Sequence, residues 1–134
     1  GTGHISVEEG KVLVEEARNI GVKKILITHP QIDFIDYPIE EMKQLAKKGA
    51  MLEHCYDTTT PHMTHPVASS TIASAIKAIG AENCIMSSDG GQKQNPPPTE
   101  MLRSFIQEML KHGLTEREIK VMIRENPTKI LGIK

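Results

Sequence analysis

The chain has 134 residues and nearly balanced charge, a formal net of -1, so it lacks both the basic excess expected of a nucleic-acid binder and a polybasic run for anionic membranes. Aromatic residues make up only 3% and tryptophan is absent, which removes a stacking surface for single-stranded nucleic acid. No apolar run approaches the length of a membrane span and no signal-peptide pattern is present, so a cytoplasmic protein forming one unit over residues 1–134 is expected. Cys55 and Cys84 lie far apart with no C-x-x-C pairing, and are read as reduced thiols.

In chain order, Gly1 to Ser6 (G-T-G-H-I-S) reads as the end of a strand. Ser6 with Glu9 three residues on forms a capping box for a helix from Val7 to about Ile20, with Leu13, Ala17 and Ile20 on one face and Gly21 as its stop. Lys23 to Thr28 is a buried strand ending at His29-Pro30, where proline stops the ladder. Pro38 opens a helix to about Lys48, striped by Met42, Leu45 and Ala46. Ala50 to Glu53 is a third strand that delivers Glu53, His54 and Cys55. A loop from Tyr56 to Pro66 carries His62 and His65. The next helix, about Val67 to Ile79, turns Ile72, Ala75, Ile76 and Ile79 inward. Cys84 to Met86 is a fourth apolar strand, closed by Ser87, Ser88 and Asp89 and broken by Gly90-Gly91. A Pro-rich loop leads to a helix from about Thr99 to Gly113. Thr115 and Glu118 make a second capping box for a helix to about Arg124, and Asn126-Pro127 reads as the cap and first position of a last helical turn anchored by Ile130, Leu131 and Ile133.

The order is therefore β-α-β-α-β-α-β-α with extra C-terminal helices, an α/β pattern that implies parallel strands joined by right-handed crossovers. Four βα units make either a small open sheet or half of a (β/α)8 barrel. The half-barrel is preferred, because a full barrel needs about 250 residues. His4, His29 and His54 recur at equal 25-residue spacing, each at or just past a strand end. If the tips converge, His4, His29 and Asp89 meet in space. Two imidazoles and one carboxylate suit a divalent transition metal with an open coordination position, zinc first, with manganese or iron as alternatives. Such a metal activates water and polarises a substrate oxygen, and Asp89 with a free oxygen can also take the proton of the attacking water.

These residues carry a family resemblance. T-G-H-I-S, I-L-I-T-H-P, S-S-D-G-G and the closing E-N-P-T-K-I-L-G-I (Glu125 to Ile133) together resemble the C-terminal half of an amidohydrolase-superfamily metal-dependent hydrolase. The resemblance implies strands five to eight of the barrel, and metal ligation by His4, His29 and Asp89. Glu53 and His54 would fall on strand seven, which has no fixed ligand in that family, so both are taken as candidate substrate contacts, as are His62 and His65 in the long loop. The family's H-x-H on strand one and its strand-four ligand have no counterpart here. The expectation is a fragment of a longer hydrolase, or an assembly with a second copy or with a missing N-terminal half, since an isolated half exposes apolar sheet surface. The implied activity is hydrolysis of an amide, ester or related bond in a small molecule. The rival is a non-catalytic half-barrel subunit.

Structural readings compete at several of these positions. Asp89 before two glycines also suits a turn, and His62 and His65 also suit plain solvent exposure. Cys55 beside His54 is not a nucleophile–base dyad, because neighbours on a strand point to opposite faces. Gly90-Gly91 lacks both phosphate-loop patterns. Met101 and Met109, at helical spacing, read as core fillers.

Overall fold

A computed structural model describes residues 1–133 and is α/β. Helix α1 (Val7–Asn19) leads to strand β1 (Ile25–Thr28), helix α2 (Ile39–Lys47) to β2 (Ala50–Cys55), and helix α3 (Ser69–Ile79) to β3 (Cys84–Ser87). Helix α4 (Pro98–Lys111) follows. Then α5 (Glu116–Lys120), a π-helical turn (Val121–Glu125) and α6 (Asn126–Leu131) run on without leaving helical backbone. Short 3-10 turns at Tyr56–Thr59 and Ala81–Asn83 flank α3 and its neighbouring strands.

The three strands form one parallel open sheet in consecutive order, β1-β2-β3. Ile25 pairs with Ala50, Leu52 with Cys84, and the register brings Thr28, Glu53 and Ile85 level with one another. Side chains alternate across the sheet. Ile25, Ile27, Ala50, Leu52, Cys84 and Met86 join the core made with the helices. On the opposite face Leu26, Thr28, Met51, Glu53 and Ser87 are half-buried, while Cys55 and Ile85 are buried. On the helix side Val14, Met42, Leu45, Ile72, Phe105 and Met122 are at most 1% exposed, each worth about 1.5–3 kcal/mol of transfer from water if apolar burial is complete. Met101 and Met109 are fully buried, as expected of core fillers.

Three expectations need correction. Residues Gly1 to Ser6 do not form a fourth strand. Thr2 donates its backbone N–H to Leu26 O (2.9 Å) and its hydroxyl accepts from Thr28 N–H (3.1 Å), so the segment lies along the edge of β1. The backbone then turns into the left-handed region at Gly3 and bends at His4, which ends any ladder after these two bonds. The core stripe of α1 is also rotated from the expected one. Gly10 and Val14 are buried, whereas Leu13 and Ile20 are exposed. Tyr37 sets this rotation: its hydroxyl donates to Ser6 O (3.1 Å) and lies so close over Gly10 that a Cβ there would run into it. Finally, Asn126 is not a cap. It sits buried inside continuous helix, where its Nδ2 donates to Ala81 O (2.8 Å) and Cys84 O (2.7 Å). Leu131 and Ile133 are exposed rather than anchoring.

Both capping boxes form. The Ser6 and Thr115 hydroxyls accept from the N–H groups of Glu9 and Glu118, whose carboxylates accept in return.

Candidate active site at the strand tips

Parallel strands deliver their C-terminal ends to one edge, and most of the candidate residues gather there. His29 follows β1 directly, is 3% exposed, and takes φ 33 in the left-handed region. Asp89 lies two residues beyond β3 at φ 49, exposed to solvent. Non-glycine residues held at positive φ at two strand tips are a form of backbone strain that concentrates at functional sites. The Nδ1 atom of His29 is buried with no hydrogen-bond partner. The bend at His4 lays its ring over His29, with ring centroids 4.4 Å apart and planes tilted by 36°. Phe34, from the loop after β1, stacks on His4 at 5.5 Å and 22°.

Glu53 borders the same tip from β2. Desolvation raises its carboxyl above the ordinary range and the negative charge of Asp89 adds to this, while the Ser87 hydroxyl and His29 pull the other way. Glu53 thus lies within reach of the charges of both Asp89 and His29. Cys55, on the same face of β2, lies 3.3 Å from Ser87 Oγ, and burial pushes its thiol well above the ordinary range. His54 points the other way, into the helix-facing core, 1% exposed with Nδ1 2.9 Å from Gln31 Oε1. The side chains of His54 and Cys55 thus lie on opposite faces, and no dyad forms. Nor does the structure bring His54 to a surface that a small molecule reaches.

The loop after β2 is pinned rather than free. The Asp57 N–H donates to Ser88 O (3.1 Å), and its buried carboxylate accepts from Asn95 Nδ2 (2.5 Å) and faces His62 Nε2 at 3.4 Å. The single hydroxyl hydrogen of Thr60 goes to Asp57 O (2.8 Å), so His62 Nδ1, 2.6 Å away, is the donor to Thr60 Oγ1. Burial holds the Asp57 carboxyl above its usual range, against the lowering pull of His62 and Asn95. His65 is exposed, and its N–H donates to Asp33 Oδ2 (3.1 Å), tying the two loops together. Between those loops lies a cavity of about 360 Å³, lined by Asp33, Phe34, His62, Met63, Thr64 and His65.

The structure therefore brings His4 and His29 into contact, sets Glu53 within reach of the charges of His29 and Asp89, and places His62 and His65 around the adjoining pocket. Asp33, Phe34, Asp57 and Asn95 were not singled out from sequence. Phe34, one of only two phenylalanines in the chain, was the one with a visible signal. The nitrogen and oxygen donors at the tips have the chemistry of a divalent-metal site, and the orphaned His29 Nδ1 is the donor such a site would use. Among the described residues, however, no three His, Cys, Asp or Glu side chains converge closely enough to hold a metal ion.

The fold and the tip cluster define a parallel α/β protein with a candidate active site at the carboxyl ends of its strands. A family model described as a family of unknown function (DUF6282) matches residues 1–53, a stretch that includes His4, His29 and Glu53 and stops before the loop that carries His62 and His65. No curated protein and no solved structure matches the chain.

Proposed function

We propose that the chain is the catalytic half of a (β/α)8 metal-dependent hydrolase of the amidohydrolase type, acting on an amide, ester or related bond of a small molecule. The observation that carries this reading is the pair at the β1 tip: buried, strained His29 with an unpartnered Nδ1, and the tilted His4 ring against it at 4.4 Å. Consecutive strand order, helices gathered on one face and a half-buried opposite face support a barrel segment over a doubly wound sheet, in which the order would reverse and helices would cover both faces.

In this reading His4, His29 and Asp89 would hold a divalent metal, zinc first and manganese or iron as alternatives, which when bound would supply an activated water and a Lewis acid for the substrate oxygen. Asp89, exposed at the tip, would accept a proton from that water. Glu53, its carboxyl raised by burial, would contact the substrate. His62 and His65 contact the substrate from the loop. A second copy of the chain, or an N-terminal half, completes the barrel.

Elemental analysis tests the centre. Stoichiometric zinc, manganese or iron in the wild type, lost in both His29→Ala and Asp89→Asn, is expected. Wild-type metal content in both variants would remove the site. The second reading, a non-catalytic half-barrel that assembles with a partner, is favoured by the lack of three converging donors. It predicts no bound metal even after soaking, with assembly intact.

A further inference from the structure

Phe34 is 65% exposed, an unusual position for one of two phenylalanines in a chain that buries the other completely. It is not loose on the surface, because its ring stacks on His4 and also lines the cavity between the two tip loops. The pocket is thereby joined to the His4–His29 pair through one aromatic side chain. It is an open pocket of about 360 Å³, accessible from solvent. Its chemistry is divided. Phe34 and Met63 offer an aromatic ring and a polarizable thioether, a pair suited to gripping a flat ring. Asp33, Thr64, His62 and His65 supply hydrogen-bonding groups around them. The polar wall is held in place, since His62 is fixed by Thr60 and Asp57, and the His65 backbone by Asp33.

We infer that this pocket takes a planar aromatic or heteroaromatic group, seated on Phe34. The inference stands on the pocket itself and needs no metal at the tip. Phe34 touches the bound ring and sets which ligands fit.

Benzamide and acetamide test the pocket, because they share the amide and differ in the ring. Calorimetric titration of the full chain should give benzamide about tenfold tighter binding than acetamide, the size expected of one stacked ring. Phe34→Ala and Phe34→Leu should both bring the two ligands to parity, and Phe34→Tyr should keep the preference. The exposure of Phe34 makes all three variants compatible with folding. Equal binding of the two amides by the wild type, or a preference that survives in both Phe34→Ala and Phe34→Leu, would overturn the pocket.

Discussion

His54 sits at the end of β2 with its Nδ1–H on Gln31 Oε1, its Nε2 buried without a partner, and no charge nearby to favour the imidazolium. Desolvation alone lowers its pKa from 6.5 to about 4. The unfolded chain therefore takes up a proton near pH 6.5, while the folded chain resists until about pH 4. The contribution is fully present above 6.5 and is lost progressively as the pH falls from 6.5 to about 4, by about 3 kcal/mol over the whole window. His54→Gln should flatten this loss. In urea unfolding at about pH 7 and about pH 4.5, the wild type should lose about 2–3 kcal/mol more between the two conditions than the variant. Equal losses would place the acid sensitivity elsewhere. His54 was read as a candidate substrate contact and His29 as a candidate ligand, and the register shows how their surroundings differ. Thr28 pairs with Glu53, so His29 and His54 stand at the same height. His54 remains in the extended strand and points into the helices, whereas His29 has already left the strand at φ 33. One backbone torsion separates a candidate site residue from a core residue, and no sequence pattern reports it.

The last helical stretch, residues 116–131, holds a π-helical turn where the sequence pattern suggests a break and a new cap. Asn-Pro is a sound local signal for a helix start, and the backbone bonds of Pro127 are compatible with it. Tertiary contacts overrule it, because Asn126 is needed to satisfy two carbonyls around the start of β3, more than 40 residues away. π turns are rare and mark places where a side chain has been re-aimed at some cost to regular helix. Asn126→Ala should cost about 2 kcal/mol, the penalty for leaving buried carbonyls unpaired. Asn126→Asp should cost more, since a carboxylate would face two carbonyl oxygens. Thermal unfolding of the two variants checks the order, and an Asp variant as stable as the wild type would show that the two bonds contribute nothing. Signals contained within one turn were legible by contrast: both capping boxes form, because each needs only residues three apart. The α1 stripe was misread because Val12, Leu13 and Val14 are consecutive, and the choice among them was made by Tyr37 from the following loop.

At the scale of the whole molecule, the helices cover one side of a three-stranded sheet, and the first edge is held only by Thr2. Ile5, Val12 and Leu13 line an open apolar groove on the outer side of α1, rimmed by Glu8, Glu9 and Glu16. Val12 and Leu13 are 63% and 44% exposed, and Ile20 is 79% exposed near the same edge. A groove of this kind together with a half-covered sheet face is what an unfinished barrel would present. The expected outcome in sedimentation is a mass above that of one chain, returning to one chain in a Val12→Ser, Leu13→Ser double variant. A wild type that stays a single chain at high concentration would count against self-assembly. The α/β class and the positions of the three sheet strands were readable from alternation and order. Phe34, Asp57 and Asn95 were not, because their roles depend on two loops meeting in space, and hydropathy periodicity carries no information about loops.

The stacking of Phe34 on His4 has a spectroscopic consequence. The chain contains no tryptophan and only two tyrosines. A Phe34→Trp substitution would place the sole indole of the molecule between the imidazole of His4 and the cavity, with no other indole emission to subtract. Its intensity and wavelength would then follow occupancy of the tip directly, so that any flat ligand entering the cavity could be titrated by fluorescence before a substrate is known.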